Sequence, residues 1–329
     1  MSPKPRHSLV RLFILLALLA AAVWVMVNRQ FVVDQLSVWD YKPTADVAAI
    51  TERVAMTDEG TFYFYASHPK IDDREAFNQH CQQLVEKSAV LGCYASRQIY
   101  IFNITDARLY GIREVTAAHE MLHAAYDRLS VGERARIDAL IEQQTQHITN
   151  PKLQARLDLY AKTEPGERLN ELHSILGTEI GSLSSELESY YARYFVKRSD
   201  VVALSSKYEK VFDEIEQKQQ SLVAEMNSLA DQVATASSTY TNALATLQAD
   251  ITNFNRRADG GGFADQAAFT VERNRLVARQ ERLQADRDAI NGQIDLYNQK
   301  KAELDALNTT AEGLQKSINS TALPEAPSL

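Results

Sequence analysis

The first strong hydrophobic pattern is an uncharged run from Leu12 to Val27, which follows a basic N-terminal segment. A run of this length predicts a single transmembrane helix when flanking polar side chains reach the interface. Because the basic residues precede it and acidic residues follow, the positive-inside rule predicts a cytoplasmic stub at 1–11, an anchor at 12–27 and all later residues outside. The competing interpretation is a cleaved signal peptide, but apolar residues continue past the small residues Ala20–Ala22 and favour a retained anchor.

The next pattern mixes short helical and strand-like segments. The pattern of residues 28–60 predicts a juxtamembrane segment that contains one short helix, capped by Thr44. Beyond it, aromatic and β-branched runs predict strands and an amphipathic run predicts a helix. These predictions are a strand at Thr61–Tyr65, a helix at Asp72–Ser88, and strands at Val90–Tyr94 and Gln98–Phe102.

Helical periodicity then dominates. Tyr110–Asp127 reads as a helix with an apolar face. Further helices are predicted from the capping box at Ser130 to about Ile148, and from Asn150-Pro151 to a break at 163–166. The expected fold is therefore α+β and mainly helical, with a small sheet and the 110–127 helix in one domain at 61–200.

From Tyr208 the period changes to seven. Apolar residues recur in two heptad runs on either side of a glycine-rich turn, which predicts an antiparallel coiled-coil hairpin at 205–318, with its turn at 258–263, and a disordered tail at 319–329. We interpret this hairpin as a spacer or self-association arm in preference to an arm that recruits substrate. The recurring positions are Phe212, Gln219, Met226, Val233, Tyr240, Leu247 and Phe254, then Phe269, Leu276, Leu283, Ile290, Tyr297 and Leu304.

Composition narrows the function classes. The 329-residue chain has a formal net charge of −8, which argues against a nucleic-acid-binding surface. Its only cysteines are Cys81 and Cys93, both on the predicted outer side. An oxidising compartment would let them form a disulfide; the alternative is two buried thiols.

The most informative motif is His119-Glu120-Met121-Leu122-His123 within the 110–127 helix. Two histidines four positions apart project from one helical face and can bind one zinc ion. Glu120 would then lie beside the metal, placed as a general base for the zinc-bound water. The plain alternative is an amphipathic helix with two satisfied histidines.

A catalytic zinc site of this kind needs a third protein ligand. Glu171, on a predicted helix, is the first candidate, and His173 is its rival on a different face of that helix. Asp127, one turn beyond His123, is a weaker ligand candidate and more plausibly orients a histidine ring. The residue pattern alone does not decide whether Glu171 or His173 is the third zinc ligand.

Two motifs together resemble the thermolysin-like gluzincin peptidases. That family has His-Glu-x-x-His, often followed by an aspartate, and later Asn-Glu-x-x-Ser; this chain has the first motif with Asp127 and then Asn170-Glu171-Leu172-His173-Ser174. The resemblance covers roughly residues 98–180. It implies that His119, His123 and Glu171 bind zinc, that Glu120 is the general base, and that Asn170 and Asp127 support the ligands. The chain departs from the family at Ile175, where an aspartate is usual, and in a longer interval between the motifs.

The sequence therefore predicts a membrane-anchored, extracytoplasmic zinc metallopeptidase that hydrolyses peptide bonds. Its expected partners are a peptide substrate, held along a strand edge near the motif helix, and a coiled-coil partner or second copy. Tyr190, Tyr191 and Tyr194 are candidate oxyanion stabilisers, although packing is the preferred interpretation. The alternative function is a non-catalytic cell-envelope scaffold that works through its coiled coil, with a structural or vestigial zinc site.

Overall fold

The computed structural model describes residues 6–81, 91–163 and 166–320, and within them the chain is mainly helical. It divides into two compact units, one comprising Met1–Val211 with Leu314–Leu329 (unit 1), the other Phe212–Gly313 (unit 2). The predicted α+β, mainly helical fold is confirmed. The helices are α1 Arg6–Val27, α2 Arg29–Asp40, α3 Ala45–Arg53, α4 Asp58–Ala66, α5 Arg74–Cys81, α6 Ile112–Asp127, α7 Val131–Thr145, α8 Pro151–Thr163, α9 Arg168–Thr178, α10 Ser185–Tyr191, α11 Arg198–Asp259 and α12 Gln266–Ile318, and the strands are β1 Lys70–Asp72, β2 Gly92–Ala95 and β3 Gln98–Phe102.

The three strands form one small mixed sheet in the order β1-β3-β2. β2 and β3 are an antiparallel hairpin, with Cys93 opposite Tyr100, and β1 runs parallel to β3. Ser96 and Arg97 connect the hairpin with positive φ angles of 50° and 66°. A two-residue turn of this hand matches the right-handed twist of the strands. β2 and β3 overlap the strands predicted at Val90–Tyr94 and Gln98–Phe102.

The predicted strand at Thr61–Tyr65 is wrong, because these residues lie in α4. The Thr57 side chain accepts a hydrogen bond from the amide of Gly60, and Asp58 and Glu59 occupy the first turn. A helix cap and acidic residues at a helix N-terminus favour the helix over the strand preference of the aromatic residues. Packing reinforces it, since Phe64 is fully buried in the core.

Residues 28–60 also differ from the prediction of one short helix. Thr44 caps α3 as expected, but α2 precedes it and α4 begins within the segment. The segment belongs to unit 1 rather than forming a linker, because Val47 and Ile50 lie in its core and Asp34 is buried.

A disulfide joins Cys81 at the end of α5 to Cys93 in β2, with Cα atoms 6.1 Å apart. The cross-link ties the outer strand of the sheet to the helix beside it. The remainder of the helix predicted to reach Ser88 lies outside the described residues.

The core of unit 1 is built around α6 and α9. Most of α6 is buried, and Leu122 and Met121 on it pack with Leu172 and Leu176 on α9. The helices cross closely at Gly177, where an added Cβ would lie 2.3 Å from Leu122 Cδ1. A side chain there would push the two helices apart.

Unit 2 comprises α11 from Phe212 onward, the glycine-rich turn, and α12 as far as Gly313. Polar side chains connect the two helices in antiparallel order, among them Gln219 with Asn308 at 2.7 Å and Glu225 with Lys300 at 2.7 Å. The predicted helical hairpin is thus present, although α11 begins at Arg198, ten residues before the heptad pattern. Phe254, Phe263 and Phe269 cluster next to the glycine-rich turn.

The two ends of the chain differ in character. α1 contains 18 consecutive residues, Val10–Val27, that are long and apolar enough to cross a membrane and are exposed throughout. At the other end, Ser320 is buried and its carbonyl accepts a hydrogen bond from the Asn78 side chain, within the tail predicted at 319–329. Residues 321–329 lie outside the described residues.

Candidate metal centre

The motif histidines lie on one face of α6. Gly111 precedes the helix with a φ angle of 99°, a left-handed conformation that favours glycine. His119 and His123 follow on adjacent turns, with ring centroids 4.8 Å apart. Their side chains are 19% and 8% exposed, so both rings are largely shielded from water.

Glu171 on α9 faces both histidines. One carboxylate oxygen lies 3.5 Å from His119 Nε2 and the other lies 3.4 Å from His123 Nε2. One potential ligand atom from each of the three residues lies within 4.8 Å of the others. These three residues could hold a metal ion, and they are the group that the two sequence motifs predict.

Asn170 fixes the ring of His123. Its amide nitrogen donates a hydrogen bond to Glu167 Oε2 at 3.1 Å, which turns the amide oxygen toward His123 Nδ1 at 2.9 Å. The oxygen can only accept, so His123 Nδ1 must carry the proton. The lone pair of His123 Nε2 is then free to face Glu171 and a metal ion.

His173, the rival ligand, lies in the core. It is fully buried, and its Nε2 is 2.8 Å from the Tyr190 hydroxyl. Burial lowers the pKa of this imidazole well below its usual range, and His123 and His119 nearby lower it further. The ring also packs against Tyr126 and Tyr191. Packing therefore brings Glu171, and not His173, to the two motif histidines.

Glu120 is 5% exposed and lies against the beginning of β2. A Cβ added at Gly92 would be 2.7 Å from Glu120 Oε1 and 2.5 Å from Thr116 Cγ2. Gly92 thus permits the strand backbone to approach the motif helix at the proposed base. Gly92 is not among the site residues predicted from the sequence, although a glycine inside a strand signals a close backbone approach.

Asp127 does not support a motif histidine, contrary to the expectation from the sequence. Its carboxylate accepts a hydrogen bond from the Tyr94 hydroxyl at 3.3 Å and lies 3.9 Å from Arg97. The neighbouring Arg128 forms a bidentate ion pair with Asp34, in which its Nη2 and Nε donate to the two carboxylate oxygens at 2.8 and 3.0 Å. The end of α6 is therefore bonded to α2 and to the β2–β3 hairpin.

The other positions singled out in the sequence belong to the core. Ile175, where the gluzincin pattern has an aspartate, is 1% exposed in the apolar cluster. Tyr190, Tyr191 and Tyr194 are also buried, and burial raises the pKa of each hydroxyl. The preferred interpretation of these tyrosines as packing residues agrees with their positions.

The three donors are of the types that zinc binds in proteins. Two imidazole nitrogens and a carboxylate oxygen are common zinc ligands, and zinc–ligand distances of about 2.0–2.1 Å place neighbouring ligands about 3.4 Å apart. Each histidine Nε2 lies at about that spacing, 3.4 or 3.5 Å, from a different oxygen of Glu171, and one donor atom from each residue lies within 4.8 Å of the others. Three ligands also leave a fourth position for water.

Comparisons with known proteins give no family for this chain. No protein-family model matches the sequence, and neither the curated proteins nor the solved structures contain a match.

Proposed function

We propose that this protein is a zinc metallopeptidase held at a membrane by α1, with its remaining residues on the extracytoplasmic side. The observation that carries the proposal is the convergence of His119, His123 and Glu171 from two helices, with Glu120 beside them. A purely structural zinc site usually has four protein ligands and needs no base, so three ligands and an adjacent carboxylate favour catalysis.

Each residue has a distinct role in the proposed reaction. His119, His123 and Glu171 would bind the ion, and Asn170 would hold His123 in the ligating tautomer. When bound, zinc would supply a Lewis acid that polarises the peptide carbonyl and lowers the pKa of water. Glu120 would accept the proton of the attacking water and pass it to the departing amine.

The substrate that best suits this arrangement is an extended peptide. β2 is an outer strand of the described sheet, and its first residue, Gly92, lies against Glu120. A peptide that adds to an outer strand forms main-chain hydrogen bonds along its length. Pairing with β2 would carry the scissile bond past the proposed base.

Two features support the proposed location. Lys4, Arg6 and Arg11 precede the apolar stretch of α1, and acidic residues follow it, a distribution that favours a cytoplasmic N-terminus. The Cys81–Cys93 disulfide suits an oxidising compartment.

The test begins with the zinc content of the purified full-length chain and its variants. We expect one zinc per chain in the wild type and in His173→Ala, and loss of zinc in His119→Ala and Glu171→Ala. His147→Ala is the matched control, because His147 is an exposed histidine on the surface of the same unit. A wild type that binds no zinc would contradict the proposal and leave the coiled-coil scaffold as the alternative.

Activity separates a catalytic site from a structural one. Glu120→Gln should keep its zinc and lower the rate of peptide hydrolysis by roughly 10²–10⁴-fold, since general-base catalysis contributes that much. Cleavage of a quenched fluorescent peptide library measures the rate. Equal rates in wild type and Glu120→Gln would remove Glu120 from the mechanism.

A further inference from the structure

The two sides of α2 have different surroundings. One side faces the rest of unit 1, where Asp34 pairs with Arg128 and the Ser37 hydroxyl donates to the carbonyl of Ala66 at 2.9 Å. The opposite side is apolar and exposed. It carries Val33, Leu36 and Trp39, which are 48%, 58% and 85% exposed, whereas Phe31 lies nearer the Asp34 side with its ring centroid 6.1 Å from that of Phe62.

Few charges interrupt this apolar side. α2 has three charged residues, and Asp34 is directed into unit 1, so only Arg29 and Asp40 at the helix ends are exposed. An apolar face that includes a tryptophan exposed to this extent is unfavourable in water and signals a binding surface.

The neighbouring element indicates what covers the face. Only Asn28 separates the end of α1 from the start of α2. Its amide bonds to Trp24 O and its carbonyl accepts from Val32 N, but its non-helical angles, φ −103° and ψ 27°, end one helix and let the next take another direction. A bilayer that contains α1 therefore has its surface immediately beside α2.

The length of α2 distinguishes two arrangements. If α2 continued along the membrane normal, Trp39 would stand about 18 Å beyond Val27, at 1.5 Å per residue, which is past the headgroup layer. If α2 lay along the surface, Val33, Leu36 and Trp39 would all reach the interface, where tryptophan is enriched and amphipathic helices bind.

We propose that the exposed face of α2, formed by Val33, Leu36 and Trp39, lies in the headgroup region of the bilayer that α1 enters. This inference rests on the membrane anchor of the proposed function. Because Asp34 on the other side of α2 is bonded to Arg128 at the end of α6, the contact would hold the candidate metal centre at a fixed height and orientation above the lipid.

The chain offers a direct test because Trp24 and Trp39 are its only tryptophans. Trp24→Phe leaves Trp39 as the reporter of α2, and Trp39→Phe leaves Trp24 as the matched reporter of α1. Each full-length variant is reconstituted into vesicles whose lipids carry bromine either near the headgroup end of the acyl chains or near the bilayer centre. Zinc content checks that both variants are folded.

We expect shallow bromine to remove roughly half of the Trp39 emission, and deep bromine to remove much less, as for a side chain at the interface. Trp24 should be quenched by bromine within the acyl chains. Trp39 emission that is insensitive to both lipids and fully quenched by acrylamide would place the face in water and overturn the inference.

Two further outcomes are also decisive. Trp39 shielded from acrylamide but not quenched by bromine would mean a protein contact, such as a second copy, and would overturn the lipid contact. Trp24 insensitive to bromine would refute the anchor itself, and with it the inference. Quenching of Trp24 alone would refute the inference and leave the anchor intact.

Discussion

At the scale of single residues, the candidate centre depends on side chains that touch no metal themselves. Asn170 Oδ1 is 2.9 Å from His123 Nδ1, and its own orientation is fixed by Glu167. Gly92 contributes through the absence of a side chain, which lets β2 approach Glu120. These two residues make separate predictions, one for metal affinity and one for the chemical step.

Asn170→Ala should weaken zinc binding by roughly 10- to 100-fold, because the loss of a partner behind a ligating histidine typically has this effect. Asn170→Asp, which retains an acceptor for His123, should bind more tightly than Asn170→Ala. Competition with a zinc-binding dye measures both affinities. Asn253→Ala, an exposed asparagine in unit 2, is the control. Wild-type affinity in Asn170→Ala would show that the hydrogen bond has no role.

Gly92→Ala should slow peptide hydrolysis by roughly 100-fold while zinc content is unchanged, since a displacement of about 1 Å at a reacting group can cost this much. The added Cβ would collide with Glu120 Oε1 and Thr116 Cγ2 and displace the base. Gly132→Ala is the matched control, because nothing lies within 4 Å of a Cβ at that position. If both variants hydrolyse peptide at the wild-type rate, the approach of β2 does not position Glu120.

At the scale of elements, the centre depends on the crossing of α6 and α9. Glu171 lies in the first turn of α9 and Gly177 near its end, where an added Cβ would meet Leu122 of the motif helix and Tyr191 of α10. Both neighbours are fully buried, so neither can move aside freely. The distance between the helices, and therefore the position of Glu171, is set by a residue that contacts no ligand.

Gly177→Ala should destabilise the protein by roughly 1–3 kcal/mol, because overpacking of a filled core outweighs the gain of up to about 1 kcal/mol in helix propensity. Adding Leu122→Ala should recover part of this loss, giving a favourable coupling of roughly 0.5–3 kcal/mol in a double-mutant cycle. Thermal unfolding measures each variant. Gly292→Ala, a helical glycine with open space around it, should not destabilise. Simple additivity at Gly177 and Leu122 would contradict the proposed contact.

At the scale of the whole molecule, the hairpin is held by polar pairs as well as apolar ones. Leu222, Leu247, Leu283 and Ile290 are buried between its helices, whereas Arg279 pairs with Asp250 and Lys300 with Glu225. Such exposed ion pairs contribute little stability, but they favour one register. After the hairpin the chain returns to unit 1, where Leu314 is fully buried.

Replacement of residues 220–307 by a short flexible linker should leave zinc content unchanged and peptide hydrolysis within about twofold, because a compact unit with its own core can fold alone. A short linker suffices, since the side chains of Gln219 and Asn308 are only 2.7 Å apart. Zinc analysis and peptide assays test the first expectation. Light scattering tests whether self-association is lost with the hairpin. Loss of zinc from this variant would mean that the hairpin supports the metal centre.

The sequence alone determined the features that arise from local pattern. Heptad spacing predicted the helical hairpin, aromatic and β-branched runs predicted β2 and β3, and helical spacing predicted that His119 and His123 share a face of α6. Local pattern failed at Thr61–Tyr65, where the cap at Thr57 and the burial of Phe64 outweighed strand preference. It also missed α2, whose inner side is defined by a partner 94 residues away, Arg128.

Only the tertiary structure decided which residues meet across the chain. Glu171 and His173 are two positions apart, and sequence spacing does not establish which side of α9 faces α6. Burial determines which side of α9 faces α6. The side that bears His173 packs among tyrosines, and Glu171 therefore faces the motif histidines. For the same reason Asp127, one turn from His123 in sequence, is bonded to Tyr94 instead. Local periodicity places side chains on a helix, but the packing of helices and sheet determines what those side chains touch.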